Sequence, residues 1–263
     1  MNLELQGKVA IVTGGSKGIG KSIAQHLSEE GVKVVICARD ENVLESTAKE
    51  ISEQTGGDVS AVRADMTSTL DVENLIAETI KQYGRIDILV NNAAMVGGKV
   101  SPNIVDATEK DLVEDIDTKI VGYFRTIKAV VPHMQNQKWG RIINIGGLSA
   151  RQSSFFGLRN SAVVHMTKTL SDQLGPDGIT LNVVHPGSTA TDTVLTRQNN
   201  RAEEQNISVE KLQEINAERV AIRRIIQPEE LAYIVCFLAS PKAESITGES
   251  IAAGGGSLGA VFH

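Results

Sequence analysis

The chain has few cysteines. Its 263 residues hold only Cys37 and Cys236, far apart and each inside an apolar run. No disulfide framework is expected, and both read as buried free thiols in a reducing compartment. Positive charge is also in deficit: 26 Lys and Arg stand against 32 Asp and Glu, a net charge of −6. That balance argues against a nucleic-acid surface and against a basic membrane patch. No apolar stretch approaches membrane-spanning length. The opening residues Met-Asn-Leu-Glu-Leu-Gln-Gly lack the basic and apolar regions of a signal peptide. His26, His133, His185 and His263 show no metal-ligand spacing with Cys or acidic residues, so no metal is expected. His165, between Val164 and Met166, reads as a helix-face residue. Repeats, linkers and low-complexity tracts are absent. The expectation is a cytoplasmic protein of one domain, residues 1–263, able to bury a substantial core.

What is present begins with one turn, Thr13-Gly14-Gly15-Ser16-Lys17-Gly18-Ile19-Gly20. Before it, Lys8 to Thr13 reads as a short buried strand. After it, Lys21 to Glu30 reads as a helix with Ile23, Ala24 and Leu27 on one face. A strand, a glycine-rich turn and a helix make a phosphate cradle. Missing Cβ atoms let the backbone approach a pyrophosphate, and the unpaired N–H groups of the first helical turn point at it. An ordinary βα turn that happens to be rich in glycine is the alternative.

The rest alternates. Strands are expected at Val32–Ala38, Asp58–Ala64, Ile86–Val90, Gly140–Ile145, Ile179–Val184 and Ser250–Ala253. Helices are expected at Glu41–Thr55, Thr67–Tyr83, Ala107–Met134 with a break near Asp115–Asp117, Phe155–Leu174 and Pro228–Ala239. Asp111, Glu114, Asp115 and Asp117 read as a solvated helix face. Residues 191–224 are polar and read as an excursion forming a substrate lid. Strict alternation gives an α/β fold with a doubly wound parallel sheet and right-handed crossovers. Ligands of such sheets bind outside the carboxyl ends of the strands. The glycine turn, Asp65, Asn91–Ala94, Gly146–Ser149 and Pro186–Thr191 all fall on that edge.

These pieces, with Gly140-Arg-Ile-Ile-Asn-Ile145, Ile179-Thr-Leu-Asn-Val183 and Ile246-Thr-Gly248, resemble the short-chain dehydrogenase/reductase family over essentially the whole chain. The resemblance implies a Rossmann-type fold with a seven-stranded parallel sheet, an NAD or NADP cofactor, a small carbonyl or alcohol substrate, and self-association as a dimer or tetramer. It also implies roles. Gly14, Ser16, Gly18, Ile19 and Gly20 would hold the pyrophosphate and nearby ribose. Asp65, beside Met66, would accept from the adenine amine. Asn92 and Ala93 would line the adenosine ribose, unless Asn91 and Asn92 merely close a strand. Pro186, Gly187 and Thr189 would meet the nicotinamide carboxamide, with Thr191 near the phosphates. NAD users of the family usually place an acid at the end of strand two. Here that position is Ala38, with Arg39 next and Lys17 in the glycine turn. Two cations and no carboxylate suit a 2′-phosphate and favour NADP over NAD, unless both cations are solvated surface groups or Asp40 dilutes them.

The family's chemistry uses a Ser, a Tyr and a Lys, with a supporting Asn. The Tyr and Lys are spaced YxxxK, one turn apart on a helix face. No YxxxK exists here: Asp87, Ile127 and Phe237 stand four residues beyond Tyr83, Tyr123 and Tyr233. Counting from the motifs, the Tyr position is Phe156, the Lys position Asn160, the Ser position Gly147 and the Asn position Lys119. Phe156 cannot move a proton, and loss of a positioned acid/base typically costs about 10²–10⁴ in rate. Three readings follow: an enzyme with rebuilt chemistry, a cofactor-binding protein without turnover, and a structural subunit with an empty pocket. The first would use Lys119, Asn160, Ser149 and Arg159, with Ser153, Ser154 and Arg151 nearby; Arg151 and Arg159 would suit an anionic substrate. Against it stands a reading in which Lys119 caps or solvates a helix and the serines are ordinary loop residues.

Overall fold

The computed structural model describes residues 1–95, 97–151, 154–256 and 258, with Arg151 described by its backbone. Seven strands form one parallel sheet: β1 (Val9–Thr13), β2 (Lys33–Ala38), β3 (Val59–Arg63), β4 (Ile88–Asn91), β5 (Gly140–Ile145), β6 (Ile179–Pro186) and β7 (Ser250–Ala253). Their order in space is β3-β2-β1-β4-β5-β6-β7. The crossover direction reverses between β1 and β4, and a crevice opens there at the carboxyl ends. β1 and β5 are buried along their whole length. This is why their Val- and Ile-rich runs do not alternate with polar residues.

Helices cover both faces. On one side α1 (Gly18–Glu29), α2 (Glu41–Thr55) and α9 (Pro228–Ala239) pack Ile23, Leu27, Leu44, Leu231 and Val235 against β1, β2 and β4. On the other, α3 (Thr69–Tyr83) and α5 (Gly122–Gln137) bury Val72, Leu75, Ile127, Val130 and Met134, while α6 (Phe155–Leu174) adds Leu174. Helix ends follow local chemistry. Asp40 and Ser68 cap α2 and α3 by accepting from Val43 N and Asp71 N, and both helices stop at glycines in the left-handed region, Gly56 and Gly84. Both cysteines are buried and unbonded, and burial pushes each thiol up to about 12.

Several boundaries differ from expectation. α1 starts at Gly18 rather than Lys21, because the glycine turn itself supplies the first helical turn. α3 starts at Thr69 rather than Thr67, since Ser68 is its cap. β6 runs on to Pro186, where its end pairs with Ala253 of β7. The expected break after Asp115 is a π-helical turn, Asp117–Val121, between α4 (Glu109–Ile116) and α5. The excursion is ordered: α7 (Asp192–Glu204) and α8 (Val209–Ala217) fill it. Its base is closed where Ala190 N donates to Ile226 O at 2.8 Å and Ile226 N to Ser188 O at 3.2 Å.

At the opposite edge of the sheet, Asp87 is fully buried. Its carboxylate accepts from Val9 N at 2.9 Å and from both Arg85 Nε and Nη2, at 2.8 and 2.6 Å. Its backbone bonds to Val9 O and Arg141 N, so one residue ties the starts of β1, β4 and β5 together. Asp87→Ala strands the Val9 amide and should cost about 2–3 kcal/mol. In urea the midpoint should fall with the slope unchanged; an unshifted midpoint would refute the assignment.

Candidate functional site

A cleft of ≈ 910 Å³ opens along the carboxyl edge. One end is the glycine turn. Gly14, Lys17, Gly18 and Ile19 line it, while Ser16 and the buried Gly20 stand behind. A Cβ on Gly20 would run into the Gly14 carbonyl and the Asn92 amide. This close approach is why the position is glycine. Asn92 Nδ2 donates to Thr13 O at 3.0 Å and Gly14 O at 3.1 Å, locking the loop after β4 onto the turn. Lys17, at the N-cap of α1, makes no capping bond, so the first-turn amides of α1 are left for an anion. The arrangement fits a pyrophosphate.

Asn92, Ala93, Pro186, Gly187, Thr189 and Thr191 line the same cleft. Asn91 lies beneath it, donating to Asn144 Oδ1 at 3.0 Å and accepting from Thr126 Oγ1 at 2.6 Å. Asp65, Met66 and Arg39 lie outside the cleft lining. Asp65 Oδ1 accepts from the Thr67 amide and hydroxyl, and Met66 is buried with its carbonyl held by Arg125. Arg39 and Lys17 are exposed, with no ion-pair partner among the described residues. Asp40 is committed to capping α2, at 3.2 Å from Val43 N.

The other end holds Lys119, Gly147, Phe156 and Asn160, the four positions counted from the motifs. Lys119, on the π-helical turn, is only 3% exposed. Its amine donates to Gly146 O at 2.9 Å and Asn160 Oδ1 at 2.8 Å. Asn160 Nδ2 in turn donates to Ser149 Oγ at 2.8 Å and Phe156 O at 2.9 Å. A Cβ on Gly147 would sit 2.8 Å from Asn160 Nδ2, so glycine there makes room for the amide. Gly147 is held from behind by His185, whose Nδ1 lies 2.9 Å from both its N and its O. Lys119, Gly147, Ser149, Phe156, Arg159 and Asn160 all line the cleft. The reading of Lys119 as a solvated or capping lysine is therefore wrong. Burial and the neighbouring Arg159 cation push its amine down to about 7, with Asp115 acting the other way.

Asp115 corrects a second expectation. It is 3% exposed, not part of a solvated face, and it pairs with Arg159, whose Nη2 also donates to Met95 O at 3.0 Å. Arg159 Nε is buried without a partner among the described residues. The acidic run misled because Asp111, Glu114 and Asp117 do meet solvent or surface cations. His165 is exposed, as expected. Ser154 caps α6 through Gly157 N and does not reach the cleft. Ser153, the Arg151 side chain and His263 lie outside the described residues. Residues not singled out in the sequence also line the cleft, notably Met95, Arg197, Gln198, Arg201 and Arg219. Their one available signal was the spacing of Arg197, Gln198 and Arg201 on one side of α7. Among the described residues no group of metal ligands occurs, and no helix is long and apolar enough to cross a membrane.

Comparison with known proteins agrees with this geometry. The family model described as enoyl-(acyl carrier protein) reductase matches residues 14–257. A putative ketoacyl reductase of Streptomyces coelicolor is 35% identical over 255 residues, covering 95% of this chain and 96% of that protein. The 3-oxoacyl-acyl-carrier-protein reductase FabG of Vibrio cholerae is 34% identical over 259 residues, covering 97% and 98%. Among solved structures, L-sorbose reductase of Gluconobacter frateurii, complexed with NADPH and L-sorbose, superposes with a TM-score of 0.94 at 27% identity, over 99% of this chain and 100% of that one. An actinorhodin polyketide ketoreductase with NADPH gives 0.87 at 31%, over 94% and 96%. With its sheet order, its glycine turn and these matches together, the chain belongs to the short-chain dehydrogenase/reductase family.

Proposed function

We propose that the protein is an NADP-dependent reductase of a small carbonyl compound, in which Lys119, held by Asn160, takes the proton-donor role that the family gives to tyrosine. The observation that carries this is the buried Lys119 amine, hydrogen-bonded on two sides and lining the cleft. Gly14, Ser16, Gly18, Ile19 and Gly20 are read as the pyrophosphate and ribose site, Asp65 and Met66 as the adenine end, and Asn92 and Ala93 as the ribose wall. Pro186, Gly187, Thr189 and Thr191 would hold the carboxamide and phosphate side. Lys17 and Arg39, neither with an ion-pair partner among the described residues, would meet the 2′-phosphate. Relatives that carry NADPH support that choice, as does the engagement of Asp40 in a cap. Bound there, NADPH would supply the hydride.

The protein's share is the proton. A tetrahedral ammonium bonded to Cε, Gly146 O and Asn160 Oδ1 keeps one N–H. Directed at a carbonyl oxygen, it polarises the C=O bond and gives up its proton as that oxygen becomes a hydroxyl. An amine near 7 is matched to this task at neutral pH. Ser149 Oγ already accepts from Asn160, which leaves its O–H proton to donate to the same oxygen. Arg159 is tied to Asp115 and Met95 and acts on Lys119 through charge. Residues 191–224 are read as the lid. Exposed Val113, Phe124 and Leu158, on α4, α5 and α6, support self-association.

Three outcomes test this. NADPH should bind more tightly than NADH, and Lys119→Met should retain NADPH binding while its reduction rate falls by about 10²–10⁴. Equal rates in the variant would reject Lys119 as the acid. Wild-type reduction should decline as pH rises past about 7, where the ammonium loses its proton; a profile flat to high pH would contradict the assignment. Stability moves the other way with pH. Between the folded pKa and the ordinary lysine value of 10.5, the unfolded chain binds the extra proton. Over that window wild type should gain on Lys119→Met by up to about 1.4 kcal/mol per pH unit. Below pH about 7 the difference should be constant and least favourable to wild type. A difference independent of pH would mean that the amine is not buried in solution.

A further inference from the structure

The lid segregates its charges. Residues 192–224 contain Arg197, Arg201 and Arg219, which line the cleft, whereas Glu203, Glu204 and Glu218 are exposed elsewhere and Glu210 and Glu214 line a smaller adjoining pocket. Asp192 is the one carboxylate among the cleft's described lining residues. The lid's other cations have partners: Lys211 pairs with Glu214, Arg224 with Glu230, and Arg223 donates to the Glu218 carbonyl. Arg201 and Arg219 have no side-chain partner among the described residues, although the chain as a whole is acidic. Two unpaired guanidinium groups in one concave site repel each other, and a cleft focuses their field onto whatever enters.

The lid helix carries Arg197 and Arg201 away from its own start. α7 starts beside the glycine turn, where a Cβ on Gly18 would lie 3.0 Å from Thr191 Cγ2. The helix then leads away: at 1.5 Å per residue, Arg197 and Arg201 are about 9 and 15 Å along it from Thr191. The Arg197 guanidinium packs on Gly97 in the loop after β4, close to Met95, whose carbonyl Arg159 holds. Arg219 follows α8, and its carbonyl accepts from Leu258 N at 3.4 Å, beyond β7. Arg197 thus stands by the loop that meets Phe156, whose ring a Cβ on Gly98 would approach to 2.8 Å, and Arg201 and Arg219 line the same cleft.

We infer that the substrate is an anion: a carbonyl compound whose carboxylate or phosphate is bound by Arg201 and Arg219, with Arg197, while its carbonyl lies at Lys119. This rests on the proposed reduction for the position of the carbonyl only. Arginine suits both anions, since its planar fork bonds two oxygens at once. The anion also relieves the repulsion between the lid arginines, so substrate entry and lid closure reinforce each other.

Calorimetry tests this without turnover. Short-chain keto carboxylates, their methyl esters, and phosphate esters of the matching hydroxyketones are titrated into the protein with and without NADP. At least one charged compound should bind 10-fold or more tighter than its neutral counterpart, and salt should weaken that preference. The carboxylate and phosphate series identify which anion is read. Arg201→Gln and Arg219→Gln should each bring the charged compound towards the affinity of the neutral one. Equal binding of charged and neutral compounds, no binding of any charged compound, or a preference that survives both substitutions would overturn the inference. NADPH oxidation is followed in parallel. Arginine-dependent binding without oxidation would sustain the anion site and reject the reductase reading. Oxidation by neutral ketones alone would do the reverse.

Discussion

Everything at the reactive end of the cleft depends on burying one amine. An ammonium removed from water is costly unless fixed dipoles replace its hydration. Lys119 has two such acceptors, the Gly146 carbonyl and the Asn160 side chain. Each brings further demands. Asn160 presents its oxygen to Lys119 only because its nitrogen is held by Ser149 and Phe156 O. That amide fits only because residue 147 has no Cβ. The π-helical turn between α4 and α5 carries the lysine itself, a type of helix insertion often found at functional sites. Positions 119, 147, 156 and 160 thus form one set. A lysine at 160 with Lys119 kept would put two amines in one buried place, so a change at 160 has to be matched at 119 and 147.

The fold was legible because its signals are local. Buried parallel strands announce themselves as short Val- and Ile-rich runs, and a glycine such as Gly84 marks where a helix ends. Errors arose where tertiary contacts decide. Pro186 continues β6 because β7 pairs beside it, and Gly18 opens α1 because the turn is wound into the helix. The same divide runs through the site. The glycine turn, Asn92 and Pro186–Thr191 were recognisable because they close strands on one edge. Asp115 was not, since its partner Arg159 lies 44 residues later, and an acidic stretch without its partner looks like surface. The lid arginines were visible as charges, but which side of α7 faces the cleft is settled only by the return of the chain at Ile226.

Two cationic systems share this cleft and differ in kind. Arg201 and Arg219 are exposed, with no side-chain partner among the described residues. Arg159 is buried and already neutralised by Asp115, so it offers little to a ligand's charge. Its influence falls on Lys119, where it opposes protonation while Asp115 favours it. Phe156 belongs to the same balance. Its ring lines the cleft beside Asn160 and adds to an apolar wall, and burial is the largest force lowering the Lys119 amine. The main-chain carbonyl of Phe156 also accepts from Asn160, whose oxygen meets the Lys119 amine, so position 156 is tied to the lysine through Asn160.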